Sequence, residues 1–310
     1  MIELGSGREF DIIRELLARW GARASGIGDD ATLLEVPAGE QLVASVDTSV
    51  EHVHFERAWL TPREIGYRAT MAALSDLAAM AASPLGVLLA LGLPKSWLVE
   101  VGELADGVGD ALDVAKTIVR GGNITGASDL TLGFTVLGST SAPLRRSGAR
   151  LGDTVYVTGR LGGPGAALQA WQRGATPAPA ARDRFARPVA RIAEAIWLAR
   201  SGARAAIDIS DGVLADAGHM AAASGVRIQL DLDALPLHEG VIPRDAAVSG
   251  EEYELIVCAA ALNVSAFERA NGLSLTAVGR VLEPIPDGIG VTARLNGEPL
   301  APVEGFRHFS

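Results

Sequence analysis

The sequence predicts an α/β protein built from two domains with mixed sheets. Segments with the periodicity of strands and of helices alternate in both halves of the chain. The chain has 310 residues, of which 48% are hydrophobic and 21% are charged, a composition typical of folded proteins and sufficient for two cores. The alternation restarts near residues 145–152, so we expect an N-terminal domain over residues 1–147 and a C-terminal domain over residues 148–310.

The first half is predicted to contain three helices, over residues 9–19, from Thr61 to about Met80, and over residues 99–119. Strands are expected over residues 41–46, 84–93 and 130–137. The second helix has a well-defined start, because Thr61 is a good N-cap, Pro62 suits the first helical position and Glu64 completes a capping box.

The second half is predicted to alternate in the same way. Strands are expected over residues 153–158, 205–209, 226–232, 253–259 and 274–281. Helices are expected after Gly163 and over residues 188–200, 212–224 and 264–270. Residues 173–182 are rich in Ala and Pro, which is typical of a surface connection.

Charge and composition exclude several classes of partner. The formal net charge is −10, so a basic nucleic-acid groove is not expected. The most apolar stretch, around residues 84–94, is too short to span a bilayer, and the first residues lack the features of a signal peptide. The single cysteine, Cys258, lies in an apolar run and is predicted to be a core residue. We therefore expect a cytoplasmic protein without nucleic-acid or membrane partners.

Aspartates in the first half stand where a fold normally avoids them. Asp29 and Asp30 share a glycine-flanked loop, and Asp47 ends an apolar strand. Asp76 shares a helix face with apolar residues such as Ile65, and a carboxylate there is costly without a cation or a donor. Metal coordination is one interpretation of Asp76, and a hydrogen bond to a neighbouring segment is the other.

The second half repeats this pattern in Asp208-Ile209-Ser210-Asp211-Gly212, which places carboxylates between a strand and a helix. Asp211 is also a candidate helix N-cap. Asp231 and Asp233, by contrast, resemble solvated turn residues. Clustered aspartates without Cys or His partners favour magnesium over zinc, because magnesium prefers oxygen ligands and bridges carboxylates to phosphates.

Two further patterns leave alternatives open. His52 and His54 would project to the same side of an extended segment, which suits a transition metal, a substrate contact by His54 or a surface role. The turn Gly162-Gly163-Pro164-Gly165 is glycine-rich, but no Gly-Lys-Ser/Thr follows it, so it is not a Walker A motif. We interpret that turn as structural.

Short segments of this chain, read in order, resemble those of the thiamine-monophosphate kinase family of the aminoimidazole-ribonucleotide-synthetase-like superfamily. They include the loop of Asp30, the strand and turn from Ser45 to Phe55, the Asp76 helix, Arg146-Ser147-Gly148-Ala149 and the Asp208–Gly212 motif. The resembling segments are residues 26–31, 45–55, 74–80, 146–149, 152–153, 157–159, 206–212, 250–255 and 305–309.

The resemblance implies a two-domain fold of that superfamily. Its N-terminal domain would bind ATP and magnesium and form a barrel in a homodimer, and its C-terminal α/β domain would complete the active site. The implied reaction is direct in-line transfer of the γ-phosphate of ATP to thiamine monophosphate, which yields thiamine diphosphate in its biosynthesis. The acceptor phosphate is already ionised, so charge neutralisation and alignment matter more than a general base.

The resemblance also implies roles for individual residues. The implied metal ligands are Asp30, Ser45, Val46 through its carbonyl, Asp47, Asp76, Asn123, Asp208 and Asp211. The implied ATP contacts are Gly122, Asn123, Arg146 and Ser210, and the implied substrate contacts are His54, Glu251 and Phe306. Asp47, Asp76, Arg146 and Asp211 are the expected catalytic set.

Three positions depart from the family pattern. Asn123 stands where the family usually has Asp, Glu252 replaces an Asp, and Val114 lies where a tyrosine often flanks the nucleotide. These changes bear on nucleotide affinity more than on reaction type. The alternatives are another ATP-using synthetase of the superfamily, or a non-catalytic regulator that binds nucleotide or thiamine phosphate.

Overall fold

Helices and strands alternate along most of the chain, as the sequence predicts. The structure is a computed structural model that describes residues 7–284 and 290–300. The helices are α1 (Arg8–Trp20), α2 (Pro62–Ala79), α3 (Val101–Ala115), α4 (Gly163–Gln172), α5 (Pro179–Ala186), α6 (Ile192–Arg200), α7 (Val213–Ser224), α8 (Pro243–Ala247) and α9 (Val264–Asn271). The strands are β1 (Gln41–Val50), β2 (Ser83–Leu93), β3 (Val119–Gly126), β4 (Thr131–Thr140), β5 (Thr154–Thr158), β6 (Ala205–Asp208), β7 (Arg227–Asp231), β8 (Leu255–Ala259), β9 (Leu275–Leu282), β10 (Gly290–Leu295) and β11 (Glu298–Pro299).

The described chain divides into two compact units, each with its own mixed sheet. The first unit contains the residues up to Leu77 together with Ser83–Ser141, and the second contains Ala78–Ala82 and the residues from Ala142 onward. This arrangement confirms the predicted α/β class with mixed sheets. Among the helices of residues 7–284 and 290–300, none is long and apolar enough to cross a membrane.

The first unit is built on a four-stranded sheet in the order β1-β4-β2-β3. The first two pairings are antiparallel and the β2–β3 pairing is parallel. Helix α2 begins as predicted, because the Thr61 hydroxyl accepts the Glu64 N–H and the Glu64 carboxylate accepts the Thr61 N–H.

Helices α2 and α3 cross in the first unit at two glycines. A Cβ atom on Gly66 would lie 2.2 Å from the carbonyl oxygen of Leu104, and one on Gly107 would lie 1.8 Å from that of Arg63. Both positions therefore exclude any side chain larger than hydrogen. This close crossing fixes α2, which carries Asp76.

The second unit is built on a seven-stranded sheet in the order β11-β10-β7-β9-β5-β8-β6. Successive residues of β8 pack on opposite faces: Ile256 and Cys258 join one apolar cluster, and Leu255 and Val257 join the other. Cys258 is fully buried, which confirms it as a core residue, and burial raises the pKa of its thiol to about 12.

Several predicted boundaries are wrong. The third helix ends at Ala115 because Lys116 adopts a left-handed conformation, with φ of 54°, and β3 follows it where no strand was expected. The expected connection over residues 173–182 runs into α5, which begins at Pro179. The helix expected over residues 188–200 begins only at Ile192.

Candidate functional site

In the first unit, β1 and α2 bring together oxygen-bearing side chains. Ser45 and Asp47 are two residues apart on β1 and therefore project to the same face of the sheet. The Ser45 hydroxyl donates a hydrogen bond of 2.5 Å to the carboxylate of Asp76 on α2. Val46 projects to the opposite face and is 70% exposed. Because its side chain has no oxygen, only its backbone carbonyl could coordinate a cation.

Asp76 occupies a mostly buried helix face, as its spacing from Ile65 predicts. Ile65 and Ala69 are buried, whereas Asp76 itself is partly exposed. Its partner is a hydroxyl on a neighbouring segment, so the hydrogen-bonding interpretation describes part of its environment. One neutral donor compensates a carboxylate at such a site only in part.

Asp30 is exposed in the loop that precedes β1. The carboxylates of Asp30, Asp47 and Asp76 do not all lie within 4.8 Å of one another. A single compact three-carboxylate site is therefore not what these residues form. Magnesium retains several waters and needs only one or two carboxylates, so separate carboxylates still suit it.

Gly122 and Asn123 lie on β3, which is an edge strand of the first sheet. Gly122 pairs with Leu89, and a Cβ atom at Gly122 would lie 2.1 Å from the carbonyl oxygen of Leu89. The glycine is thus required by the close approach of two strands. Asn123 is exposed beside it and offers an amide oxygen where a carboxylate was expected.

His54 lies in a turn rather than in an extended segment, which corrects the geometry assumed for the two histidines. His52 has a left-handed φ of 67°, and its Nδ1 atom lies 2.9 Å from the Glu56 carboxylate. His54 accepts the Val50 N–H through Nδ1 at 3.1 Å. The two rings therefore have different partners, and acceptance at Nδ1 places the proton of a neutral His54 ring on Nε2.

In the second unit, the segment between β6 and α7 carries the other aspartates. Asp208 ends β6 and is buried, whereas Ser210 is exposed and Asp211 is half-buried. The N-cap residue of α7 is Gly212, so the interpretation of Asp211 as the cap is wrong. The carboxylate of Asp216, one turn into the helix, instead accepts the N–H groups of Ser210, Asp211 and Gly212 at 3.1 Å each.

Asp216 is the residue that sequence reasoning missed in this segment. Burial, followed by the nearby charge of Asp208, raises the pKa of Asp216 to about 7. Within the described residues, Asp211, Asp216 and His219 form the one group of three candidate ligands whose atoms all lie within 4.8 Å of one another. Asp216 sits on the buried face of α7, so the argument used for Asp76 would have found it.

Arg146 is exposed in a short 3₁₀ turn that is fixed to neighbouring elements of the second unit. Its carbonyl oxygen accepts the hydroxyl of Ser224 at 2.7 Å. A Cβ atom on Gly148 would lie 1.9 Å from the Arg204 carbonyl oxygen, so the turn packs tightly on the chain before β6. The backbone is held while the guanidinium faces solvent, which suits an anion contact.

The loop before β8 carries Glu251, which is half-buried. The Glu251 N–H donates to the Ser210 carbonyl at 2.8 Å, and the Tyr253 N–H donates to the Ile209 carbonyl at 2.8 Å. These two bonds tie the loop to the segment that joins Asp208 and Asp211. Phe306, the third predicted substrate contact, lies outside the described residues.

The glycine-rich turn at Gly162 is structural. The Gly162 N–H donates to the Glu252 carboxylate at 2.6 Å, and the Gly165 N–H donates to the Ser249 hydroxyl at 3.1 Å. Two N–H groups of the turn, which a phosphate would otherwise need, are therefore occupied by side chains. The turn residues Asp231 and Asp233 are also as predicted: both are exposed, and Asp231 caps the following 3₁₀ turn.

Comparison with known proteins places this geometry in a family. The family model described as AIR synthase related protein, N-terminal domain, matches residues 28–140, and its C-terminal counterpart matches residues 150–285. The thiamine-monophosphate kinase of Escherichia coli strain K12 is 36% identical over 307 residues, which cover 92% of each chain. The chain belongs to the thiamine-monophosphate kinase family.

Solved structures of thiamine-monophosphate kinases agree with this assignment. The enzyme of Stenotrophomonas maltophilia K279a is 36% identical, with a TM-score of 0.82 over 92% of this chain and 97% of that one. The structure described as AaThiL complexed with AMPPCP and TMP is 32% identical, with a TM-score of 0.76 over 100% of this chain and 99% of that one.

Oxygen atoms predominate among the candidate ligands of this chain. Hydroxyl, carboxylate and amide oxygens make up the donor sets around β1, β3 and β6, and this chemistry fits magnesium better than a softer metal. His219 is the exception, as an exposed ring nitrogen beside Asp211.

Proposed function

We propose that this chain transfers the γ-phosphate of ATP to thiamine monophosphate and so produces thiamine diphosphate. The observation that carries this proposal is the relationship to thiamine-monophosphate kinases, at 36% identity over 92% of the chain. A relative of known structure carries AMPPCP and TMP, an ATP analogue and a thiamine phosphate, and this chain matches it over its full length.

The proposed metal is magnesium, with Asp30, Ser45, Val46, Asp47, Asp76 and Asn123 of the first unit, and Asp208 and Asp211 of the second, as its ligands. Bound magnesium would neutralise the phosphates of both substrates and align them for in-line transfer. The oxygen-rich surroundings of the Ser45–Asp76 hydrogen bond support this assignment.

The remaining roles fall to groups that bind and orient the two substrates. Gly122, Asn123, Arg146 and Ser210 are proposed to hold ATP, and the exposed guanidinium of Arg146 would bind a phosphate. His54, with its proton on Nε2, would donate to the thiamine phosphate, while Glu251 and Phe306 would bind the thiamine moiety. Asp47, Asp76, Arg146 and Asp211 are the proposed catalytic set.

The molecule is further proposed to be a cytoplasmic homodimer. The N-terminal domain, residues 1–147, would provide the dimer contact as well as ATP and magnesium ligands, and residues 148–310 would provide the remaining ligands. Support for the dimer comes from β1, an edge strand whose outer face exposes Leu42 and Val46.

A single coupled measurement tests the proposed reaction. Purified protein is incubated with ATP, magnesium and thiamine monophosphate, and thiamine mono- and diphosphate are separated by chromatography while ADP is quantified. We expect one thiamine diphosphate per ADP, and no product when EDTA is added. Release of inorganic phosphate without thiamine diphosphate would instead indicate a synthetase. ATP binding without turnover would indicate a non-catalytic regulator.

A further inference from the structure

The loop from Ser249 to Glu254 carries an unusual backbone. Glu251 and Tyr253 both adopt left-handed conformations, with φ of 64° and 51°. Residues with a Cβ atom avoid this region, and such conformations persist only where the surrounding structure enforces them. The loop must therefore be held by strong contacts on both sides of Tyr253.

Two buried glutamates provide those contacts. Glu252 is fully buried, and its carboxylate accepts the Gly162 N–H at 2.6 Å and the Ser249 hydroxyl at 2.7 Å. Glu254 is 1% exposed and accepts the Thr158 hydroxyl at 2.7 Å. Both carboxylates are therefore buried within the second unit.

Glu254 is also the centre of a buried ion-pair network. It is paired with Arg184, at 2.9 Å, and with Arg191, whose Nε atom donates at 2.8 Å. Arg184 in addition donates to the carbonyl oxygen of Glu252. Breaking a buried pair leaves an uncompensated charge, so this network holds the loop backbone firmly.

Glu251 and Tyr253, the two left-handed residues of the loop, are paired with each other. The Tyr253 hydroxyl donates to the Glu251 carboxylate at 2.5 Å, and the tyrosine is only 8% exposed. A hydrogen bond from a fixed phenol restricts a glutamate that would otherwise sample several rotamers.

We propose that Tyr253 is a positioning residue for the thiamine substrate, which acts by holding the carboxylate of Glu251 in its binding orientation. This inference rests on the proposed function, because it takes Glu251 as a substrate contact. The carboxylate would meet a cationic or N–H-bearing group, as thiamine offers in its thiazolium ring and its aminopyrimidine. Tyr253 itself need not touch the substrate.

The test compares Tyr253→Phe with the wild type, since this change removes one oxygen and preserves the ring. We expect the dissociation constant and the KM for thiamine monophosphate to rise about tenfold, in keeping with the loss of a hydrogen bond to a charged group. The KM for ATP and the melting temperature should stay close to those of the wild type. The matched control is Tyr156→Phe in the same unit. The Tyr156 hydroxyl accepts the Leu262 N–H, and its removal should leave both KM values unchanged.

A double-mutant cycle separates positioning from a direct or merely structural role. In the Glu251→Ala background, Tyr253→Phe should have no further effect on thiamine monophosphate binding, because the group it positions is gone. Multiplicative effects of the two substitutions would overturn the proposal, as would equal changes in both KM values.

The same set of proteins distinguishes this failure from a failure of the proposed function. If the wild type neither binds nor phosphorylates thiamine monophosphate, the proposed function is wrong and the substrate role of Tyr253 is wrong with it. If the wild type does both and Tyr253→Phe binds as tightly, only the positioning role is wrong.

Discussion

Asp76 places a charge on a helix face whose neighbours Ile65 and Ala69 are buried. Its described partner is the neutral Ser45 hydroxyl, which compensates a carboxylate only in part. We expect Asp76→Asn to lower the rate of thiamine diphosphate formation at least about 100-fold, because it removes a proposed metal ligand. The melting temperature without magnesium should be unchanged or higher, since an amide costs less to keep there.

Asp11→Asn is the matched control for this substitution. Asp11 lies on α1 in an exposed ion pair with Arg14, and exposed pairs contribute little to stability. Steady-state kinetics should not distinguish Asp11→Asn from the wild type. Near-normal turnover of Asp76→Asn would exclude Asp76 from the metal site.

Glu252 gives a second prediction at the scale of one residue. Burial raises its pKa to about 7, against an ordinary value of 4.5. Between these values the folded state binds more protons than the unfolded state, so the free energy of unfolding falls as pH rises from about 4.5 to 7. The shift corresponds to roughly 3 kcal/mol at 1.36 kcal/mol per pKa unit.

Glu252→Gln removes this titration and should flatten the pH dependence. Urea denaturation at pH 5, 6, 7 and 8, with EDTA present, compares the two proteins. Asp216 has a pKa raised in the same direction, so Glu252→Gln is expected to retain part of the slope, and only the difference between the two proteins reports Glu252. Identical slopes in both proteins would show that Glu252 is ionised in the folded state throughout this range.

Sequence patterns predicted the positions of several candidate site residues but not their hydrogen-bond partners. Asp76 was predicted from helical spacing, and the strand position of Asp47 placed it beside Ser45. Asp216 lies on the buried face of α7, so helical spacing could have indicated it, but its contacts with the preceding loop require the backbone path to be known. The hydrogen bond from Tyr253 to Glu251 depends on the left-handed backbone conformations of both residues, which residue propensities do not predict.

At the scale of elements, β3 shows where pattern reading fails. The helix predicted over residues 99–119 reaches the first residue of β3, whose Gly121 and Gly122 lie in a strand parallel to β2. Parallel pairing joins distant segments, so its signal is not local. The elements with strong local signals were found, such as α2 with its capping box and β8 with its continuous apolar run.

Gly122→Ala tests the close approach of β3 to β2. The new Cβ atom would lie 2.1 Å from the Leu89 carbonyl oxygen, so the strand must shift. We expect the free energy of unfolding to fall by about 2 kcal/mol or more. Gly121→Ala is the matched control, because its Cβ atom would make an ordinary contact, at 3.5 Å, with the Leu88 side chain. Equal losses in the two variants would contradict this account.

At the scale of the whole molecule, the negative net charge is consistent with a protein that binds phosphorylated substrates through divalent cations. A net charge of −10 opposes the binding of phosphorylated substrates, and the oxygen ligands that contribute to this charge are the groups that would recruit divalent cations. The net charge does not identify the substrate, whereas the relationship to thiamine-monophosphate kinases indicates thiamine monophosphate.

The last prediction concerns assembly. Strand β1 lies at an edge of the first sheet, and its residues Leu42 and Val46 are 52% and 70% exposed. An exposed apolar edge strand favours pairing with a second copy. We expect light scattering to give twice the chain mass of 32.1 kDa for the wild type, and Leu42→Lys to shift the protein towards the monomer. Leu151→Lys, at a residue 57% exposed in the second unit, should leave the dimer intact. A monomeric wild type at tens of micromolar would refute the assembly, while a dimer that Leu42→Lys leaves intact would move the contact away from β1.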